Sequence, residues 1–192
     1  MSRTAILTVG STRFDPLVSS FLQPASLSAL ASHGVDRVLA QVGNSELPPG
    51  WELGTVRTEG VECEVVRFSG DLEEWIGRAD VVVSHAGAGS ILSFLRPLPT
   101  ASSSSDQTPP SNHRQLIIVP NSTLMDSHQS DLADEMEKKA WAIVCRQPID
   151  LLDALCSLEN GGARATGPSS TAYPELDKTT VQRLLDETLG YI

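Results

Sequence analysis

His85, Gly87, Gly89 and Ser90 fall within "VVVSHAGAGSIL". Three valines lead into a serine and a histidine, two glycines follow, and an apolar run of helical composition begins. The chemistry this spacing offers is anion binding. Glycine lets backbone approach a bound group because no Cβ stands in the way. A helix opening near Ser90 adds unpaired N–H groups and the positive end of its dipole. A diphosphate fits such a place, with His85 at its lip donating a hydrogen bond to a phosphate oxygen. The same residues also describe an ordinary glycine turn whose histidine is satisfied by a neighbouring carbonyl.

Two further loops have comparable chemistry. In "ILTVGSTRFD", Gly10, Ser11 and Thr12 offer N–H and hydroxyl donors after a strand. The alternative there is a strand-to-helix loop in which Ser or Thr caps the helix. In "PNSTLMDSHQSDLADEM", Asp126, His128 and Gln129 gather at a helix start. Gln129 carries both a donor and an acceptor, which suits a pair of sugar hydroxyls; the alternative is a capping segment with solvated polar residues. None of the loops matches GxxxxGK[ST] or GxGxxG. A nucleoside-triphosphate hydrolase and a dinucleotide dehydrogenase are therefore poorly supported.

The elements that must position these loops follow from periodicity. "TAILTVG", "DRVLAQVGNS", "DVVVSHAG", "QLIIVPN" and "AIVCR" read as strands, with short strands and irregular chain between Leu47 and Gly70. Helices are expected after Asp15, which is placed to cap with Pro16 at the first turn, and again beyond Pro24 up to Gly34. "DLEEWIGRA", "AGSILSFLR", "DSHQSDLADEMEKKAW" and "DLLDALCSL" read as further helices, the third with Leu132, Met136 and Trp141 facing inward. Strand–helix alternation with near-continuous Val/Ile strands predicts an α/β fold: a Rossmann-like, mostly parallel sheet with helices on both faces. In such a sheet ligands bind at the carboxyl ends of the strands, which is where all three loops lie.

Residues 1–160 are expected to form that domain. The serine- and proline-rich stretch 97–114 cannot build a packed core and reads as a flexible insertion. Residues 161–192 read as a flexible segment followed by a terminal helix. Its Val181, Leu184, Leu185 and Leu189 form one apolar stripe, either docking a partner or packing on its own domain. The 192-residue chain carries 24 acidic and 14 basic side chains, a net charge of −10. That balance argues against a nucleic-acid partner. Cys63, Cys145 and Cys156 lack CxxC spacing, so free thiols in a reducing compartment are expected. His33, His85, His113 and His128 show no metal-ligand spacing, and no metal is expected. No apolar run approaches the ~20 residues a membrane helix needs.

Taken in order, "ILTVGSTRFDPLV", "SHAGAGSIL" and "LIIVPNSTLMDSHQSDLADEMEKKAWAIVC" resemble the catalytic subunits of the eukaryotic dolichol-linked UDP-N-acetylglucosamine (UDP-GlcNAc) transferase of asparagine-linked glycosylation. More distantly, they are similar to the carboxyl-terminal half of the bacterial peptidoglycan GlcNAc transferase. The resemblance covers most of residues 4–146 outside the insertion.

The resemblance implies the donor-binding half of a GT-B glycosyltransferase. It implies an inverting transfer of GlcNAc from UDP-GlcNAc to dolichol-diphosphate-GlcNAc, without a bound metal or other cofactor. It further implies a membrane-anchored second subunit and a cytosolic protein recruited to the cytosolic face of the endoplasmic reticulum. Gly10, Ser11 and Thr12 match the family's first phosphate loop; His85, Gly87, Gly89 and Ser90 match the second. Asp126, His128 and Gln129 match the donor-sugar segment, with Gln129 and His128 facing the sugar hydroxyls. His85 would lie against the diphosphate and help hold the leaving UDP. Two departures stand out. Ser93 occupies a place where the family usually carries an acid that holds the ribose, and the insertion replaces a short turn. No general base is identified in this chain, and the partner is left to supply it. The competing expectation is a UDP-sugar-binding domain without transferase activity of its own.

Overall fold

Alternating apolar residues on the strands bury both faces of one sheet, and the helices cover it in two layers. The computed structural model describes residues 3–96, 114–121 and 128–158. The strands are β1 (Arg3–Thr8), β2 (Val35–Gln41), β3 (Gly54–Thr58), β4 (Val61–Val66), β5 (Val81–Ser84), β6 (Gln115–Ile118) and β7 (Ile143–Val144). Between and after them run α1 (Asp15–Leu22), α2 (Pro24–Ser32), α3 (Leu72–Arg78), α4 (Ala88–Leu95), α5 (His128–Lys138) and α6 (Leu151–Cys156), the last preceded by a 3-10 turn, Pro148–Asp150. Residues 97–113 of the expected insertion and the expected tail and terminal helix lie outside the described residues.

The sheet order is β3-β4-β2-β1-β5-β6-β7. Every pairing is parallel except β3 with β4. Of the short strands and irregular chain expected between Leu47 and Gly70, the strands form an antiparallel hairpin at one edge. The chain moves outward from β1 through β2 to β4, then returns to the other side of β1 as β5. That reversal places the topological switch, and hence the ligand crevice, between the carboxyl ends of β1 and β5.

One layer packs Leu17, Val18, Phe21 and Leu30 of α1 and α2, with Leu151 and Leu155 of α6, against Leu7, Val9 and Val83. The other packs Ile76, Ile91, Phe94 and Met136 of α3, α4 and α5 against Ile6, Val82 and Ile118. Each fully buried Leu or Phe contributes roughly 1.5–3 kcal/mol. In α5, Ala133 and Met136 are buried and Leu132 packs partly against the same layer; the helix ends at Lys138, and Trp141, beyond it, packs there too. Pro24 divides the first helical region as expected, and Gly34 closes α2 at a φ of 80°. Asp15 does not cap α1. Phe14 holds that position without a side-chain cap, and the Asp15 carboxylate instead accepts from Arg13 and from the Glu46 N–H.

Candidate functional site

The two central strands and β2 end in polar residues. Thr8 stands in register with Gln41 on one side and Ser84 on the other. These three continue the face that carries Ile6, Leu39 and Val82, and all are buried. The Ser84 hydroxyl is buried without a hydrogen-bond partner among the described residues. An orphan of this kind costs about 1–3 kcal/mol, so its presence marks the strand ends as unlike the core beneath them.

His85 follows Ser84 directly and is only 6% exposed, so it forms the floor of the crevice rather than its lip. Its backbone N–H donates to the Thr8 carbonyl at 3.3 Å, and its Nδ1 lies 3.3 Å from the same oxygen. A carbonyl can only accept, so Nδ1 carries the proton and Nε2 is the nitrogen left for a ligand. Burial holds the imidazole below its ordinary pKa, with the Thr8 carbonyl acting in the opposite direction. Two glycines seat the ring. A Cβ on Gly87 would come within 2.6 Å of His85 Cε1, and one on Gly10 within 3.1 Å. Gly10 also has a φ of 61°, in the left-handed region.

Helix α4 starts at Ala88, the first residue of "AGSILSFLR" and two residues before Ser90. Its first position is reached through Ala86 at a φ of 66°, a left-handed conformation that costs a non-glycine residue roughly 1–2 kcal/mol. Gly87 precedes the helix and no side chain caps it. The first intrahelical bond runs from the Ile91 N–H to the Gly87 carbonyl, at 3.1 Å. The N–H groups of Ala88, Gly89 and Ser90 thus remain at an uncapped positive helix end, and a Cβ on Gly89 would meet nothing within 4 Å. Ser93, at the position where the resemblance implies an acid, donates its hydroxyl to the Gly89 carbonyl at 2.9 Å.

The first loop is built differently. The Gly10 N–H is shared between Thr8 Oγ1 at 3.2 Å and Gln41 Oε1 at 3.0 Å. Both donors of Thr12, its N–H and its hydroxyl, go to the Val9 carbonyl. Of the three residues expected to donate here, only Ser11 keeps its N–H and hydroxyl unclaimed among the described residues. Asn44 pins this loop by donating to the Ser11 and Thr12 carbonyls. Gly43 makes that approach possible, because a Cβ there would lie 2.4 Å from the Gly10 carbonyl oxygen.

In the third loop, Asp126 lies outside the described residues and His128 opens α5. Gln129 uses its Oε1 to accept from the Asn121 N–H at 3.0 Å. Its acceptor thus holds the protein's own backbone, not a free hydroxyl-binding position. Asn121, 2% exposed, donates in turn to the Arg13 carbonyl at 3.2 Å, joining the third loop to the first.

Gln41, Gly43 and Asn121 were not expected to matter from the sequence. The visible signal for Gln41 was a polar residue closing the apolar strand "VLAQ", the same pattern as "VVVSH". Arg114, expected as the end of the insertion, belongs to the fold. It donates to the Ala79, Phe94 and Ile76 carbonyls and stacks 4.2 Å over the Phe94 ring, clasping the ends of α3 and α4.

Comparison with known proteins gives the chain's family and fold. Residues 4–97 match the glycosyltransferase family 28 C-terminal domain. A UDP-N-acetylglucosamine transferase subunit ALG13 from Cryptococcus neoformans is 33% identical over 212 aligned residues, covering 98% of this chain and 97% of the relative. The human subunit of the same name is 32% identical over 143 residues, 74% of this chain but 11% of the human protein. The solution structure of an ALG13 superposes with a TM-score of 0.56 at 23% identity, covering 97% of this chain and 96% of that one. MurG from Acinetobacter baumannii superposes with a TM-score of 0.51 at 17% identity, covering 82% of this chain and 40% of that one. The two structures show the shared fold, the Rossmann-like C-terminal half of the GT-B architecture. From its identity to full-length relatives, with the crevice where that fold binds ligands, this chain belongs to the UDP-N-acetylglucosamine transferase subunit family within glycosyltransferase family 28.

Proposed function

We propose that this chain is the donor-binding catalytic subunit of an inverting UDP-GlcNAc transferase. It would pass GlcNAc to dolichol-diphosphate-GlcNAc together with a membrane-anchored second subunit, at the cytosolic face of the endoplasmic reticulum. The observation that carries the reading is the uncapped start of α4 directly above a buried histidine at the β1/β5 switch. The donor diphosphate lies against the N–H groups of Ala88, Gly89 and Ser90, with Ser11 contributing from the first loop. No helix among the described residues is long and apolar enough to cross a membrane, which is compatible with anchorage through a partner.

In the reaction the acceptor 4-hydroxyl attacks the anomeric carbon, its proton passes to a base, and the bond to the UDP oxygen breaks. The helix end stabilises the charge that develops on the departing diphosphate. Such preorganised donors often make the largest single contribution to catalysis. His85 holds one proton at Nδ1 against Thr8. To donate from Nε2 to a phosphate oxygen it takes up a second proton, which the diphosphate charge favours. Gln129, its Oε1 engaged, has its Nε2 donor for a sugar hydroxyl. The partner subunit supplies the base and the acceptor surface.

A second reading keeps UDP-sugar binding without transfer, because the Ser93 hydroxyl is turned onto its own helix at the position where the resemblance implies an acid for the ribose. The test is GlcNAc transfer from UDP-GlcNAc to a GlcNAc-diphosphate-lipid by the full chain, with and without the membrane-anchored subunit. Transfer only with both chains supports the transferase. Donor binding with no transfer by the pair supports the second reading.

A further inference from the structure

The Gln41 side chain is 1% exposed and makes four hydrogen bonds. Its Oε1 accepts from the Thr8 hydroxyl at 2.7 Å and the Gly10 N–H at 3.0 Å. Its Nε2 donates to the Gly10 carbonyl and to the Arg67 carbonyl, each at 2.7 Å. Two donors meet the oxygen and two carbonyls meet the nitrogen, so the network fixes which end of the amide is which. Glutamate would place a second acceptor against two carbonyls, and asparagine would be short by a methylene.

Two of the three residues that Gln41 grips, Thr8 and Gly10, are those that hold the imidazole. The Thr8 carbonyl takes both the backbone N–H and Nδ1 of His85. Gly10 lies against the ring, so close that a Cβ there would sit 3.1 Å from Cε1. We propose that Gln41 is a positioning residue of the donor site: its amide fixes the Thr8–Gly10 backbone and, through it, the placement of the His85 ring. Among the described residues, Gln41 makes no side-chain hydrogen bond to His85 or to the start of α4. The inference rests on reading the crevice as the donor diphosphate site.

The experiment compares wild type, Gln41→Leu, Gln41→Glu and a remote core control, Leu30→Ala, in the full chain with its second subunit. For Gln41→Leu the KM for UDP-GlcNAc is expected to rise about tenfold, equivalent to about 1.4 kcal/mol, with a smaller change in kcat. Leu30→Ala should lower the melting temperature without moving KM. Gln41→Glu should approach wild-type KM in acid, where the protonated carboxyl keeps one donor. Relative to wild type, its KM should rise with pH as that donor is lost. An unchanged KM in a folded Gln41→Leu chain overturns the proposal, as does an equal rise in Leu30→Ala. A ligand-free measurement separates this from failure of the donor reading. By NMR, the His85 titration should shift in Gln41→Leu relative to wild type, because the Thr8 carbonyl that opposes the effect of burial is no longer fixed. Identical titration in the two proteins overturns the positioning role whether or not UDP-GlcNAc binds.

Discussion

The two glycine loops beside the β1/β5 switch look alike in the sequence and differ in what they leave free. In the first, Gly10 and Thr12 spend their N–H groups on Thr8, Gln41 and Val9, and Asn44 fastens the loop from the other side. In the second, Gly87 opens α4 with no side-chain cap, and Gly89 faces open space. One loop is a wall held by the protein's own bonds; the other is a set of donors awaiting an acceptor. The difference shows why glycine spacing alone does not identify an anion site. The same missing Cβ that lets a ligand approach also lets neighbouring backbone approach, as Gly43 does against Gly10.

The sharpest break between the loops should come at Gly87. Its backbone is ordinary, so Gly87→Val is excluded by space, with its Cβ 2.6 Å from the buried His85 ring. UDP-GlcNAc affinity is expected to fall on the order of a hundredfold, about 2.7 kcal/mol, while circular dichroism remains that of a folded chain. Calorimetric titration checks it, and wild-type affinity would remove the second loop from the site. His85→Ala is expected to cost about tenfold in the same titration.

Gly89→Ala separates folding from binding. An alanine in open space on the helix should raise stability by up to about 1 kcal/mol, yet weaken the donor several-fold by standing between the N–H groups and the diphosphate. Thermal melts alongside titration read both signs. Thr12→Val should do the reverse in the first loop. Loss of its bond to the Val9 carbonyl costs roughly 0.5–1.5 kcal/mol of stability, with little change in donor affinity. Equal affinity losses in Thr12→Val and Gly89→Ala would erase the distinction.

The smallest effect expected is on pH. Burial depresses the His85 pKa in the free protein, and a bound diphosphate raises it. Affinity gained from the second proton is therefore absent above the bound-state pKa, grows as pH falls through it, and is complete below the free-state pKa. UDP-GlcNAc is the right probe because it has no terminal phosphate titrating near pH 6. His85→Gln should flatten the profile.

Sheet and helices were legible because both rest on apolar periodicity. "VVVS", "LIIV" and "ILTV" are buried on both faces, and "FLQP" announces the break at Pro24. The placement of the candidate loops was legible for the same reason, since strand carboxyl ends can be read from where the apolar runs stop. Bond partners across the chain were not. Thr8–Gln41 spans 33 residues and Asn121–Arg13 spans 108, and no local pattern encodes such pairing. Arg114 was hidden by its neighbours. Seventeen flanking residues of serine- and proline-rich character masked one guanidinium that clasps two helix ends.

The most direct test is an NMR titration of the full-length 15N-labelled chain with UDP-GlcNAc, following every assigned backbone amide. The account predicts the largest shifts at Ala88, Gly89 and Ser90, a smaller one at Ser11, and slow exchange of the Gly10 and Thr12 amides with and without the donor. Shifts centred instead on the apolar hollow of about 180 Å³ between Leu22, Leu27 and Trp51, or unchanged Ala88–Ser90 amides at saturating donor, would contradict it.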